Sequence, residues 1–276
     1  MTPRLFVPAL ATLPALNQLD WPSPSQPQSA DATLAPLPLP PSIGPIQLDE
    51  SSAHHLLRVL RRREGDAVAL FDGQGRAYQA ELASTKLATV RLLSALPPEA
   101  LPPVRLGLAQ CLSTADKMDW TIEKAVELGV SMIVPLLSAR SLVKLDASRA
   151  DKRLAHWERL VVAAAMQSQR NHLPMMAPVQ PLKTWLGSLG APSTDEKRWV
   201  LHPAGHASLA RQSLDAPDTR TAWLLCGPES GLSAEELTLA IEAGWLPAGL
   251  GPRVLRTETA GLVGLSVLQT TLGDLG

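Results

Sequence analysis

From Val104 onward the chain alternates short apolar segments with longer amphipathic ones, and this alternation limits the fold more than any other feature. Five segments are predicted strands: Val104–Leu112, Met132–Leu136, Trp199–His202, Ala222–Cys226 and Ala248–Gly251. Five are predicted helices: Lys117–Leu128, Arg149–Gln169, Ser208–Leu214, Ala234–Ala243 and Glu258–Leu272. Strands that alternate with helices form a mostly parallel sheet covered by helices. We therefore predict an α/β domain here.

The residues before Val104 follow a different pattern. Strands are predicted at Ala67–Phe71, Arg76–Ala83 and Leu87–Ala95, and an amphipathic helix with one cationic face is predicted at Asp49–Arg63. Eight prolines between Asp20 and Leu48 predict a long irregular loop, an insertion near residues 20–48. A proline-rich connection follows the last of these strands. The sequence thus predicts a β-rich domain over residues 1–98 and an α/β domain over residues 99–276.

Composition and charge exclude several classes of protein. Hydrophobic residues make up 45% of the chain and charged residues 18%, which is typical of a globular protein. Pro3 and Pro8 interrupt the N-terminal apolar residues, so we expect no secretory signal or membrane span, and a cytoplasmic protein. The two cysteines lie in apolar runs, which favours buried thiols over a disulfide, and no residues have the spacing of a metal site. Because the net charge is −1, any contact with nucleic acid must come from local cationic clusters.

Three predicted strands end in loops of a kind that binds polar ligands. One strand runs into Gly227-Pro228-Glu229-Ser230-Gly231 and then a capping-box pattern at Ser233. Another loop runs from Gly249 to Arg256 and precedes a helix with a predicted N-cap at Thr257, and the remaining loop is Leu201-His202-Pro203. In open α/β sheets, ligands bind at the carboxyl ends of the strands. The loops are therefore predicted to share a pocket, although the Gly227 loop alone is also compatible with an ordinary glycine turn.

The order and spacing of these loops resemble a known family. The run Gly227-Pro228-Glu229-x-Gly231-Leu232-Ser233, followed by the segment from Leu250 to Ala260, is similar to the paired motifs of the RsmE family of SPOUT methyltransferases. The resemblance extends to Lys117-Met118-Asp119 and to Gln167 with Arg170-Asn171. It implies a PUA-like β-barrel before a SPOUT α/β domain with a C-terminal trefoil knot, and a homodimer. It also implies transfer of a methyl group from S-adenosylmethionine to N3 of a uridine in 16S, or small-subunit, ribosomal RNA.

The resemblance also assigns the cofactor-binding residues, which we expect to be Leu201, His202, Pro203, Gly227, Pro228, Glu229, Leu250, Gly251, Val254, Leu255, Thr259 and Ala260. Methylation of N3 needs an in-line geometry and stabilisation of negative charge on the uracil oxygens as the proton leaves. We expect Arg256 to supply that stabilisation, with Arg170 second and Glu258 as a candidate base. The alternative for Arg256 is a structural salt bridge with Glu229 or Glu258.

Cationic side chains on both domains are the expected RNA contacts: Arg58, Arg61, Arg62, Arg140 and Lys144. A run of arginines is equally compatible with an ordinary solvated surface. Three residues depart from the family pattern, namely Ser230, Met166 and Gln169, where the family usually has Gly, Glu and Gly. A second hypothesis is therefore an RNA-binding ribosome-assembly factor that kept the fold and lost catalysis. The complete Gly251–Ala260 segment favours the enzyme, because a binding protein does not need a whole cofactor loop.

Overall fold

The computed structural model describes residues 2–17, 37–39, 43–141, 146–203 and 207–275. The chain divides into two compact units. Unit 1 comprises Met1–Leu101 and Ala165–Leu173, and unit 2 comprises Pro102–Ala164 and Pro174–Gly276. Most of the loop predicted between Asp20 and Leu48 lies outside the described residues, and so does Lys144. In the part of the chain that the structure describes, none of the helices combines the length and apolar character needed to cross a bilayer.

Unit 1 is built on a five-stranded sheet. Its strands lie in the order β1 (Arg4–Phe6), β3 (Ala67–Phe71), β4 (Ala77–Ser84), β5 (Thr89–Ala95) and β2 (Ile46–Gln47). β1 pairs with β3 in parallel, and the other pairs are antiparallel. The three strands predicted from alternation are found, with bounds that differ by at most two residues. β1 and β2 were not predicted, because two or three residues are too few for a periodic pattern.

The helical part of unit 1 is more irregular than the sequence predicts. A 3₁₀ helix over Pro8–Thr12 and the short α1 (Pro14–Asn17) follow β1. The prediction of one helix over Asp49–Arg63 is wrong at its end. α2 (Glu50–His54) continues as a π-helical turn over His55–Val59, and Arg61 then takes a left-handed backbone with φ of 51°. That conformation ends the helix before the last arginines.

Unit 2 contains a seven-stranded sheet in which every pair is parallel, which confirms the predicted α/β class. The order is β12 (Leu246–Ala248), β10 (Glu196–Leu201), β11 (Thr221–Cys226), β6 (Arg105–Cys111), β7 (Met132–Leu137) and β8 (Met175–Met176), with β9 (Gln180–Pro181) also on β7. The last predicted strand, Ala248–Gly251, is misplaced. β12 ends at Ala248, Gly249 then pairs with Ser208 in an isolated bridge, and Gly251 has φ of 97°, which a strand does not allow.

Six helices accompany this sheet: α3 (Ala115–Glu127), α4 (Ala147–Ser168), α5 (Leu182–Ser188), α6 (Leu209–Leu214), α7 (Ala234–Glu242) and α8 (Thr257–Thr271). Five of them were predicted, whereas α5 was not. The capping box at the start of α7 is present as predicted, with Ser233 and Glu236 as its partners. The predicted N-cap at Thr257 is wrong by one residue, since α8 begins at Thr257 and Arg256 precedes it.

Candidate functional site

Three loops of unit 2 leave the carboxyl ends of three neighbouring strands. β12, β10 and β11 lie side by side and parallel, so the loops that follow them emerge at one edge of the sheet. Together they line a cavity of about 670 Å³. That volume lies within the range of about 300–1,000 Å³ that is usual for small-molecule sites. The cavity is the candidate functional site.

The cavity collects the residues that the sequence singled out. Every predicted cofactor residue lines it except Thr259: Leu201, His202, Pro203, Gly227, Pro228, Glu229, Leu250, Gly251, Val254, Leu255 and Ala260. Thr259 does not line the cavity, because Thr257 and Ala260 share the face of α8 that borders it and Thr259 lies on another face. Arg256, the leading catalytic candidate, is exposed and also lines the cavity.

Several lining residues were not predicted for this site. Ser230, Gly231, Leu232, Arg253 and Thr257 stand inside the two motifs, so the motif spacing itself could have indicated them. Cys226 and Ala248 are the last residues of their strands. Lys117 and Arg140 come from elsewhere in the chain, at the start of α3 and after β7, and no local pattern connects them with the loops.

Glycine is required at two turns of these loops. Gly231 has φ of 69° and Gly251 has φ of 97°, values that residues with a side chain rarely adopt. The neighbouring Ser230, which stands where the family usually has glycine, does not need that freedom, because its φ is not positive. Its hydroxyl instead donates to Arg140 O at 2.9 Å. The departure at Ser230 is therefore compatible with the loop.

A buried polar network joins the Gly227 loop, which follows β11, to the start of α8. Thr257 Oγ1 donates to Gly227 O at 2.5 Å and accepts from Gln110 Nε2 at 2.9 Å. The Cys226 thiol donates to Thr257 O at 3.4 Å. Burial raises the pKa of Cys226 to about 11, so the thiol is neutral near pH 7. These bonds hold the two motifs together beneath the cavity.

Lys117 provides a positive charge between the two motifs. Its Nζ lies 3.4 Å from Glu229 Oε1 and 3.5 Å from Glu258 Oε2. Glu258 is buried, and its Oε2 makes no hydrogen bond within the described residues. The Lys117 ammonium therefore offsets the cost of burying this carboxylate. Both glutamates thus pair with Lys117. The sequence left open a salt bridge between Arg256 and one of these glutamates. Among the residues that the structure describes, Arg256 forms no salt bridge with either.

Of the remaining predicted residues that the structure describes, Arg140 lines the cavity and the others do not. Arg170 belongs to the 165–173 segment of unit 1, where Glu99 accepts hydrogen bonds from the backbone N–H groups of Asn171 and His172. Arg58 and Arg61 are exposed on unit 1, and Arg62 is partly buried. Arg140, expected to bind RNA, lines the cavity of unit 2. The roles of these arginines stay predictions.

Comparison with known proteins shows similarity along both units. Residues 100–269 match an RNA methyltransferase domain, and residues 48–93 match an RNA methyltransferase PUA domain. Ribosomal RNA small subunit methyltransferase E of Bacillus subtilis is 31% identical over 78% of this chain and 86% of its own length. The Synechocystis protein of the same name is also 31% identical, over 82% of this chain and 73% of its own.

Two solved structures match over 100% of both chains. The first is ribosomal RNA small subunit methyltransferase E from Neisseria gonorrhoeae bound to S-adenosyl methionine, with a TM-score of 0.78 and 29% identity. The second is a putative methyltransferase from Legionella pneumophila with bound SAM, with a TM-score of 0.79 and 30% identity. The trefoil knot implied by the resemblance stays a prediction.

The matched domains, their order and the paired motifs agree. The chain belongs to the RsmE family of SPOUT RNA methyltransferases, with a PUA domain at its N-terminus.

Proposed function

We propose that this chain transfers a methyl group from S-adenosylmethionine to N3 of a uridine in 16S ribosomal RNA. One observation carries the proposal: residues from three separate loops, assigned to the cofactor by the family resemblance, line one cavity of about 670 Å³. The solved relatives with S-adenosylmethionine bound support the choice of cofactor. The small-subunit substrate rests on the names of the relatives, and the N3 position rests on the family resemblance.

The lining of the cavity suits this cofactor chemically. Leu201, Leu250 and Leu255 offer apolar contact to an adenine ring, and the backbone of the Gly227 loop offers polar groups. The Glu229 carboxylate complements a positively charged ligand. When bound, S-adenosylmethionine supplies an electrophilic methyl group on a sulfonium. The protein's own task is then to hold the cofactor and the uracil in line and to exclude water.

Arg256 is the residue that we assign to the reacting base. As N3 loses its proton, negative charge develops on the uracil oxygens, and a positioned cation stabilises it by on the order of 3 kcal/mol. Arg256 lines the cavity and is exposed, and its guanidinium is not engaged by Glu229 or Glu258. Glu258 is the weaker assignment as base, because its buried carboxylate pairs with Lys117 and does not line the cavity. Arg170 is retained as the second cationic candidate.

We further propose that Arg58, Arg61 and Arg62 of the PUA domain contact the RNA backbone, since cations near phosphates contribute affinity without sequence preference. Lys144, outside the described residues, is proposed for the same role. The target uridine must leave its stack to reach the cavity. We also propose a homodimer, which the family resemblance supports, and a cytoplasmic location, which a substrate in the small ribosomal subunit supports.

Two measurements test the proposed function. Calorimetric titration with S-adenosylmethionine is expected to give saturable binding, whereas no binding at millimolar cofactor would favour the assembly-factor hypothesis. Mass spectrometry maps the modified nucleotides of 16S ribosomal RNA from cells with and without the protein. The RNA from cells without it is expected to lack one N3-methyluridine, and an unchanged pattern would refute the proposal. Arg256→Ala serves as the matched variant, expected to bind the cofactor almost normally but to transfer methyl groups slowly.

A further inference from the structure

The turn after β7 is hydrogen-bonded to the second loop of the cavity. This β7 turn consists of Ser138–Ser141, and the second loop is Gly227–Leu232. Ser230 Oγ donates to Arg140 O at 2.9 Å, while Arg140 Nη1 donates to Ser230 O at 3.3 Å and to Leu232 O at 3.4 Å. The two segments are thus joined in both directions. They are 90 residues apart in the chain.

A buried carboxylate anchors the same two segments. Glu236 is 6% exposed, and its Oε1 accepts from Ala139 N at 2.6 Å. Its Oε2 accepts from Ser233 N at 2.9 Å, which closes the capping box of α7 directly after the second loop. The β7 turn is itself braced, since Ser141 Oγ accepts from Ser138 N at 3.1 Å. Arg140 therefore extends from a rigid base.

The second loop has little internal support. It lies between β11 and α7, and its internal backbone bond joins Gly231 N to Pro228 O at 2.9 Å. Yet it supplies Pro228, Glu229 and Ser230 to the cavity. A guanidinium that binds two of its carbonyls restrains both its path and the position of Glu229. Arg140 also lines the same cavity, and its Nη1 is directed at the loop carbonyls.

We propose that Arg140 is a positioning residue of the cofactor site, which holds the second loop in its binding conformation together with Ser230. This inference rests on the proposed function, because it takes the cavity to be the S-adenosylmethionine site. It assigns Arg140 a different role from the RNA contact that the sequence suggested. The two roles depend on different properties of the side chain. Restraining the two carbonyls needs an N–H group held at the position of Arg140 Nη1, which the shorter reach and different shape of lysine do not reproduce, whereas attraction to a phosphate needs only the positive charge.

The experiment compares Arg140→Lys, Arg140→Gln and Ser230→Ala with the wild-type protein. Arg211→Gln on α6 is the control, because Arg211 is exposed and does not line the cavity. Calorimetry measures the Kd for S-adenosylmethionine, and filter binding measures the Kd for a 16S RNA fragment at several salt concentrations. We expect both Arg140 variants to bind the cofactor about tenfold more weakly, equivalent to 1.4 kcal/mol, and Ser230→Ala about threefold more weakly. RNA affinity and its salt slope should stay near wild-type values in these variants, and Arg211→Gln should match the wild type in both measurements.

The opposite pattern would overturn the inference. If Arg140→Gln weakens RNA binding and flattens its salt slope, Arg140→Lys restores both, and cofactor affinity never changes, Arg140 is an RNA contact. Thermal unfolding without cofactor shows whether each variant is folded. If Arg140→Gln is not, Arg140→Lys and Ser230→Ala decide the question. A wild-type protein that does not bind S-adenosylmethionine would refute the proposed function and this inference with it, whereas equal binding by wild type and variants would refute the inference alone.

Discussion

Gln169 ends α4 in a conformation that favours glycine. Its φ is 64°, and the backbone N–H of the following Arg170 donates to Ala165 O at 3.0 Å, the bond of a Schellman-type helix end. The family pattern has glycine at this position, where a residue with a side chain pays about 1–2 kcal/mol of strain. The substitution at Gln169 has therefore kept the helix end and added strain next to Arg170.

Replacing Gln169 by glycine should relieve this strain. We expect Gln169→Gly to raise the free energy of unfolding by about 1 kcal/mol, after the entropic cost of glycine in the unfolded chain is subtracted. Urea denaturation measures the change. Gln167→Gly is the matched control, because Gln167 lies inside α4 and should lose about 1 kcal/mol on the same substitution. A loss of stability in both variants would contradict the proposed strain.

At the scale of elements, α8 lies against the sheet through glycines. A Cβ added to Gly264 would overlap Cδ2 of Leu224 in β11, and Leu224 is fully buried. The close approach brings α8 near the strand that carries the second loop. Helix propensity favours alanine over glycine by about 1 kcal/mol, but a packed core leaves no room for the extra methyl group.

We expect Gly264→Ala to lower the free energy of unfolding by about 1–3 kcal/mol because of overpacking. Gly187→Ala on α5 is the control, since Gly187 is exposed and nothing lies within 4 Å of its added Cβ. That variant should gain about 0.5–1 kcal/mol. Denaturant titrations of both variants give the comparison, and equal gains in stability would show that the contact with Leu224 is loose.

At the scale of the whole molecule, two buried thiols couple stability to pH. Burial raises the pKa of Cys111 well above its ordinary value and raises that of Cys226 from 9.0 to about 11. Above pH 9 the unfolded chain therefore releases protons that the folded chain retains. The stability that the neutral thiols contribute is complete below that pH and is lost as the pH rises toward 11.

For Cys226 alone, two pKa units correspond to about 3 kcal/mol. We expect the free energy of unfolding to fall steadily between pH 9 and pH 11, measured by urea titration at each pH. Cys226→Ser removes one of the two thiols and should have a shallower pH dependence, whatever its stability at pH 7. The same slope in the variant and the wild type would mean that Cys226 ionises as readily in the folded protein as in the unfolded one.

Periodicity predicted the elements that are long enough to show it. β3, α3 and α8 were found within two residues of their bounds, because a hydrophobic face repeats locally along the chain. β8 and β9 were missed because two residues each are too few to show a repeat. The end of the Asp49–Arg63 helix was wrong because a left-handed residue at Arg61 leaves no signal in the apolar pattern.

The sequence by itself determined the parallel α/β sheet and the two loop motifs, since strand alternation, glycine turns and the capping box at Ser233 are all local properties. Only the tertiary structure decided that Lys117 and Arg140 reach the second loop, from 112 and 90 residues away. The strand order β10, β11, β6, β7 brings them there. That order depends on how buried faces pack against one another across the whole domain, and no short stretch of sequence records it.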